Sequence, residues 1–162
     1  MAEPLTGQPV LTIDLPAIVA NWRDLAARGA PGAVAGVVKA DGYGLGAIEV
    51  ARALRGAGCR HFFVACITEG LALRAAIGPG PMIAVLEGFA PGEDGDAALV
   101  PVLNALPEIE AHAAAGRAAG VARRAILHLD TGMARLGLDA GELARLSADH
   151  GMLAGLDLLY VM

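Results

Sequence analysis

Cysteine is scarce, with two residues in 162, Cys59 and Cys66. Both lie in or beside apolar stretches and lack metal-ligand spacing, so neither a disulfide framework nor a zinc cluster is implied, and both are expected as buried, reduced thiols. Aromatic residues make up only 4% of the chain, which removes the stacking platforms used to hold single-stranded nucleic acid. The twelve basic residues are scattered or paired, as at Arg123-Arg124, and the formal net charge is −5. No basic stripe is available to follow a phosphate backbone. No apolar run approaches the roughly 20 residues that span a bilayer, and MAEPLTGQPV lacks the basic start and apolar centre of a signal peptide. Nucleic acid and membrane are therefore not expected as partners, and the default location is cytoplasmic. His61, His112, His128 and His150 show no mutual spacing of a metal site, and neither a G-x-S-x-G elbow nor a Cys/His pair is visible. No metal is expected.

What the chain does have is apolar residues, at 56%, enough for one domain with a real core. Glycine and proline cut it into short apolar runs alternating with longer amphipathic ones, the pattern of βα units around a parallel sheet. Val10–Leu15 reads as a possible first strand. Asp14 then caps a helix through about Ala27, with Pro16 in its first turn and Ile18, Trp22 and Leu25 on one face. Six further strands are expected at AVAGVVK, HFFVAC, PMIAVLEG, ALVPVLN, RAILHLD and LAGLDLLYVM. Helices separate most of them: AIEVARALRGAG, TEGLALRAAI with Thr68 as its cap, LPEIEAHAAAGRAAG and AGELARLSADH. Pro101 is awkward inside a central strand, and residues 88–98, GFAPGEDGDAA, read as a loop. Six strands suit either an open doubly wound sheet or most of a (β/α)₈ barrel, and spacing does not choose between them. The last run, LLYVM, is strongly strand-like and ends without a turn or polar tail, so the 162 residues are expected to be the front part of a longer barrel.

Two stretches carry chemistry. GVVKADGYGLG, residues 36–46, puts Lys39 at the end of an apolar strand and just before a glycine-rich turn. Lys39 can be a surface lysine with its stem on apolar neighbours. It can also be an amine nucleophile at the carboxyl end of a strand, where α/β folds assemble their sites, including one that bonds pyridoxal phosphate. The glycines at 42, 44 and 46 do not match G-x-G-x-x-G, which argues against a dinucleotide. HLDTGMARLG, residues 128–137, ends another strand in a polar turn presenting Asp130, Thr131 and Arg135. Asp130 can serve only the turn's own amides and Arg135 can only cover apolar surface; equally, Arg135 can bind a carboxylate or phenolate with its planar fork. The remaining carboxylates read as solvated helix residues, with no paired acid and base among them.

Together, VVKADGYGLG and HLDTGMARLG resemble the two motifs of the alanine racemases, in the same order and at similar separation, and the resemblance runs from TIDLPAIVANW to GLDLLYVM. It implies a pyridoxal-5'-phosphate enzyme of fold type III: a (β/α)₈ barrel, of which this chain holds about six of eight βα units, a β domain not included here, and a homodimer. It further implies that Lys39 bonds the cofactor and acts as one of two acid/bases on the α-carbon of alanine. Tyr43 is implied as a contact of the cofactor phosphate, and Arg135 as a contact of the phenolic oxygen and the substrate carboxylate. The second base, a tyrosine of the partner subunit, has no counterpart here. His128 stands where many members carry a lysine that becomes carbamylated and braces the arginine; Ala134 replaces a common glycine, Gly42 a common alanine and Leu45 a common histidine. The activity implied is interconversion of L- and D-alanine for peptidoglycan precursors, with the isolated chain expected to be inactive and aggregation-prone. A racemase of serine or of broad specificity, or a non-catalytic pyridoxal-phosphate-binding or structural fragment, are the rival readings.

Overall fold

The computed structural model describes residues 9–89 and 99–162. Thirteen elements alternate along the chain: α1 (Leu15–Gly29), β1 (Gly36–Val37), α2 (Lys39–Tyr43), α3 (Ala47–Gly56), β2 (His61–Val64), α4 (Ile67–Ile77), β3 (Met82–Val85), β4 (Leu99–Leu103), α5 (Leu106–Ala119), β5 (Arg123–Leu127), α6 (Ala140–Ala148), a 3₁₀ turn (His150–Leu153) and β6 (Leu156–Val161). Of the loop expected at 88–98, residues 90–98 lie outside the described residues.

All neighbouring strands pair in parallel, and their order across the sheet is β1-β2-β3-β4-β5-β6. A doubly wound sheet reverses its strand order partway, whereas a barrel adds each strand beside the last. Sequential order therefore settles the choice that spacing left open. Curvature points the same way. His61 on β2 and Tyr160 on β6 sit four strands apart, about 19 Å in a flat sheet, yet their ring centroids are 6.0 Å apart and Tyr160 Oη lies 3.2 Å from His61 Nε2. The sheet curls until its second and sixth strands touch across the concave face.

Period-two alternation divides the core into layers. Met82, Ala84, Val100, Val102 and Ile126 form the interior cluster. Ile83 and Val85, from the opposite face of β3, join Phe62, Val64, Val50, Leu54, Leu73 and Ile77 beneath the first helices. Leu103, Ala125 and Leu127 pack with Leu106, Ile109 and Leu146 under the later ones. With both faces covered, β3 and β4 are buried at every residue, as a parallel sheet demands. Pro101 is accommodated inside β4 because pairing to β5 begins only at Val102↔Ile126, one residue beyond it.

Three expectations need correction. Residues 10–14 form no strand; Val10 and Leu11 are 70% and 77% exposed, and the chain enters α1 directly. Asp14 does cap α1, accepting from Ala17 N at 3.0 Å, but only Ile18 and Trp22 of the proposed face pack on the core, Leu25 being 56% exposed. Thr68 lies inside α4, whose N-cap is Cys66 with no side-chain cap bond. Both cysteines are free thiols, Cys59 buried and Cys66 half-buried. No described helix is long and apolar enough to cross a membrane.

Candidate active site

Each strand of the curled sheet delivers its last residues to one rim, and a cavity of about 570 Å³ opens there. Its lining comes from chain just past the strand ends: Lys39 after β1, Ala65 after β2, Leu86 and Glu87 after β3, His128 after β5 and Met162 after β6, roofed by Met133, Arg135 and Leu136. The rim at the carboxyl ends is where parallel βα folds place their chemistry, since the loops there converge while the strands hold them rigidly. The two motifs, 96 residues apart at Lys39 and Arg135, thus line one cavity. Among the described residues none bonds the Lys39 amine or the Arg135 guanidinium. Lys39 is moreover the only lysine in the sequence, the other eleven basic residues being arginine. That count was open to a reader of the sequence and is a sharper signal than the strand-end position.

Local backbone explains how Lys39 reaches the rim. Directly after it the chain turns with a left-handed helical sense: Ala40 (φ 51°, ψ 51°), Asp41 (φ 51°, ψ 47°), Gly42 (φ 63°, ψ 36°) and Tyr43 (φ 58°). For L-residues this costs about 1–2 kcal/mol each, and glycine at only one of the four positions relieves it. Bonds from the surroundings offset the strain. Ala40 N donates to Glu69 Oε1 at 2.8 Å, Ala47 N to Asp41 Oδ1 at 2.9 Å, and Gly46 N to Asp41 O at 2.9 Å. A tight left-handed turn lets the chain leave β1 and enter α3 within a few residues while Lys39 stays beside β2. Strain of this kind, held by specific partners, is a mark of functional segments.

Tyr43 is carried on that turn but 63% exposed, and it is not among the cavity's lining residues. The structure therefore brings Lys39 and Arg135 together and leaves Tyr43 outside.

The Arg135 loop is clasped at its neck by Leu138 N donating to His128 O at 2.8 Å and Asp130 N donating to Leu138 O at 3.0 Å. Inside it, Asp130 Oδ1 accepts from Gly132 N at 2.9 Å and Ala134 N at 3.0 Å. These amides, with a smaller contribution from nearby His128, hold the Asp130 carboxyl below its usual range. Asp130 thus serves its own turn, the more modest of the two readings the sequence allowed. Thr131 is exposed and does not line the cavity.

Reading the carboxylates as solvated helix residues missed a recurring device. Glu69, Glu108 and Glu142 each stand third in their helix, α4, α5 and α6, and each reaches back to backbone amides at the rim. Glu69 holds Ala65 N and Ala40 N, Glu108 holds Asn104 N at 2.7 Å, and Glu142 holds Leu106 N at 3.0 Å. A glutamate at N3 returning to the start of its own helix is half of a capping box; Glu69 and Glu142 also tie adjacent βα units together. Asn104 was missed as well. It is 5% exposed and connects β4 to His128.

Fold and site define a parallel βα protein of the barrel type whose carboxyl rim presents one lysine and one arginine to a shared cavity. Comparison with known proteins makes this specific. A family profile described as "Alanine racemase, N-terminal domain" matches residues 13–162, and the chain belongs to that family. It is 52% identical over 158 residues to an alanine racemase of Acidiphilium cryptum, covering 96% of this chain and 44% of that protein. It is 45% identical to a catabolic alanine racemase of Mesorhizobium japonicum, covering 99% and 45%. Among solved structures, alanine racemase of Bartonella henselae with covalently bound pyridoxal phosphate superposes with a TM-score of 0.87 at 41% identity, covering 92% of this chain and 44% of that one. The chain thus spans less than half the length of the relatives it matches.

Proposed function

We propose that the chain supplies the lysine-bearing barrel portion of a pyridoxal-phosphate-dependent alanine racemase, a cytoplasmic homodimer that interconverts L- and D-alanine for cell-wall precursors. One observation carries this reading: the sequence's only lysine lines the rim cavity together with an unengaged guanidinium, in a chain of the alanine racemase family. An amine and a planar cation on one cavity fit a group that offers an aldehyde carbon and an anionic oxygen. Lys39 would hold that group covalently and Arg135 would face its phenolic oxygen or the substrate carboxylate. When bound, pyridoxal phosphate supplies an electron sink for the charge left at the α-carbon.

The chain's own residues have separate tasks. Lys39 Nζ takes and returns a proton on one face of the α-carbon, and racemisation needs a second acid/base on the other. Arg135 orients the anion with its forked donors, which a point charge would do less well. Tyr43 lies outside the cavity, so a role at the phosphate would require it to act at the cavity's mouth. The opposing base is expected from the partner subunit, and the isolated chain is expected to lack racemase activity.

The test is borohydride reduction after addition of pyridoxal phosphate, followed by digestion and mass spectrometry. Apart from the chain's α-amino group, Lys39 is the sole primary amine, so an adduct on its peptide that disappears in Lys39→Arg supports the reading. Adduct confined to the α-amino group sinks it.

A further inference from the structure

Asn104, at the end of β4, is the one polar residue among those fully buried in the described structure. Its Nδ2 donates to Leu86 O and to Val102 O, both at 3.0 Å. With both amide hydrogens committed, Oδ1 can only accept, and the atom set against it, at 2.8 Å, is Nδ1 of His128. Turning the amide over would aim its oxygen at two carbonyl oxygens, so the orientation is fixed by the network itself. Nδ1 must then carry a hydrogen, and in the neutral ring Nε2 is left as an acceptor. No described residue bonds Nε2, and His128 lines the rim cavity.

The opposite edge of the ring touches the loop that carries Arg135. A Cβ on Gly137 would fall 3.1 Å from His128 Cδ2 and 2.8 Å from Asp130 N, and the backbone there has φ 101°. Glycine is required because the imidazole and the loop neck occupy that space. A continuous path therefore runs from the buried carbonyls of β3 and β4, through the Asn104 amide and the His128 ring, to the neck from which Arg135 projects.

We propose that Asn104 is a positioning residue: it fixes His128 as the Nδ1–H tautomer, and the ring so held seats the neck of the Arg135 loop and leaves Nε2 as an acceptor for the cavity. Its relevance to catalysis rests on the cofactor reading of that cavity, but the positioning itself does not.

The test uses the protein without cofactor, in its full length, so its failure is separable from a failure of Lys39 to capture pyridoxal phosphate. Long-range proton–nitrogen correlation spectra of ¹⁵N-histidine-labelled protein report the tautomer of each neutral ring, with His128 assigned by the signal lost in His128→Gln. The expected result is an Nδ1–H ring at His128. In Asn104→Leu the ring should shift toward Nε2–H and the amides of Leu138 and Asp130 should exchange about tenfold faster, the effect of losing one hydrogen bond, with the β2–β3 amides unchanged. An Nε2–H ring in the unsubstituted chain overturns the proposal even if Asn104→Leu fails to fold. An unchanged tautomer or unchanged loop exchange in a folded Asn104→Leu overturns it too.

Discussion

Glu69 and Ala40 are 29 residues apart, and the carboxylate of the first accepts the backbone amide of the second at 2.8 Å while its other oxygen accepts that of Ala65 at the same distance. One side chain thus ties the residue after Lys39 to the end of β2. Glu69→Ala leaves both amides without that partner and should destabilise the chain by about 1–3 kcal/mol, read as a lower urea midpoint. Glu69→Gln keeps one acceptor oxygen and should fall between. Equal stability of all three proteins would mean that the left-handed turn is held by its internal bonds alone.

Two positions with left-handed backbone, Ala134 and Gly42, make opposite predictions. Ala134 has φ 53°, a conformation that disfavours a Cβ, so Ala134→Gly should raise stability by about 1 kcal/mol after the entropy glycine loses on folding. Gly42 also has positive φ, 63°, but is buried, with a built Cβ only 3.1 Å from Ala47 N and 3.2 Å from Ala47 Cα. Backbone strain and crowding therefore add, and Gly42→Ala should cost about 2–4 kcal/mol. Thermal melts of the two variants should move in opposite directions.

Much of the fold was legible because burial and secondary structure share a period. The Val/Ile/Leu runs at β2 to β6 could hardly be anything but strands between amphipathic helices, and the placement of Lys39 and Arg135 each after a strand of a parallel pattern already pointed to one rim. What could not be read were relationships made by tertiary structure. Val10–Leu15 has strand composition but pairs with no strand among the described residues, and composition cannot supply a partner. Glu69, Glu108 and Glu142 look like surface helix charges until the preceding loops fold back upon them. Asn104 sits in an ordinary apolar run, and only the arrival of His128 from β5 gives its amide oxygen a partner. Left-handed backbone at Ala40 and Asp41 has no glycine to announce it.

Arg135→Lys keeps the charge but gives up the planar fork. If the guanidinium orients an anionic oxygen in two-point fashion, the concentration of pyridoxal phosphate giving half-maximal trapping at Lys39 should rise about tenfold, whereas Tyr43→Phe, altering a residue 63% exposed and outside the cavity, should change it little. A large effect of Tyr43→Phe with none from Arg135→Lys would reverse the assignment of anion contacts.

Asp130 and Glu108 should separate in a pH titration of stability because their carboxyls are shifted in opposite senses. Asp130 is held below its ordinary value of 3.8, first by the amides of Gly132 and Ala134. Its folded form binds the proton less well than the unfolded chain, so its contribution is fully present above pH 3.8 and is lost as pH falls through the lower folded value. Glu108 is raised above 4.5, chiefly by burial, with Glu142 adding to the rise and the amide of Asn104 opposing it. Its folded form binds the proton more tightly, so its contribution is largest at acid pH and declines as pH rises from 4.5 through the higher folded value. Urea midpoints measured across this range should show Asp130→Asn diverging from the parent in slope only below about pH 4. Glu108→Gln, which retains an acceptor for Asn104 N, should instead remove a decline lying above pH 4.5. Parallel curves for Glu108→Gln and the parent above that pH would show that the carboxylate is solvated, contrary to its burial against Asn104.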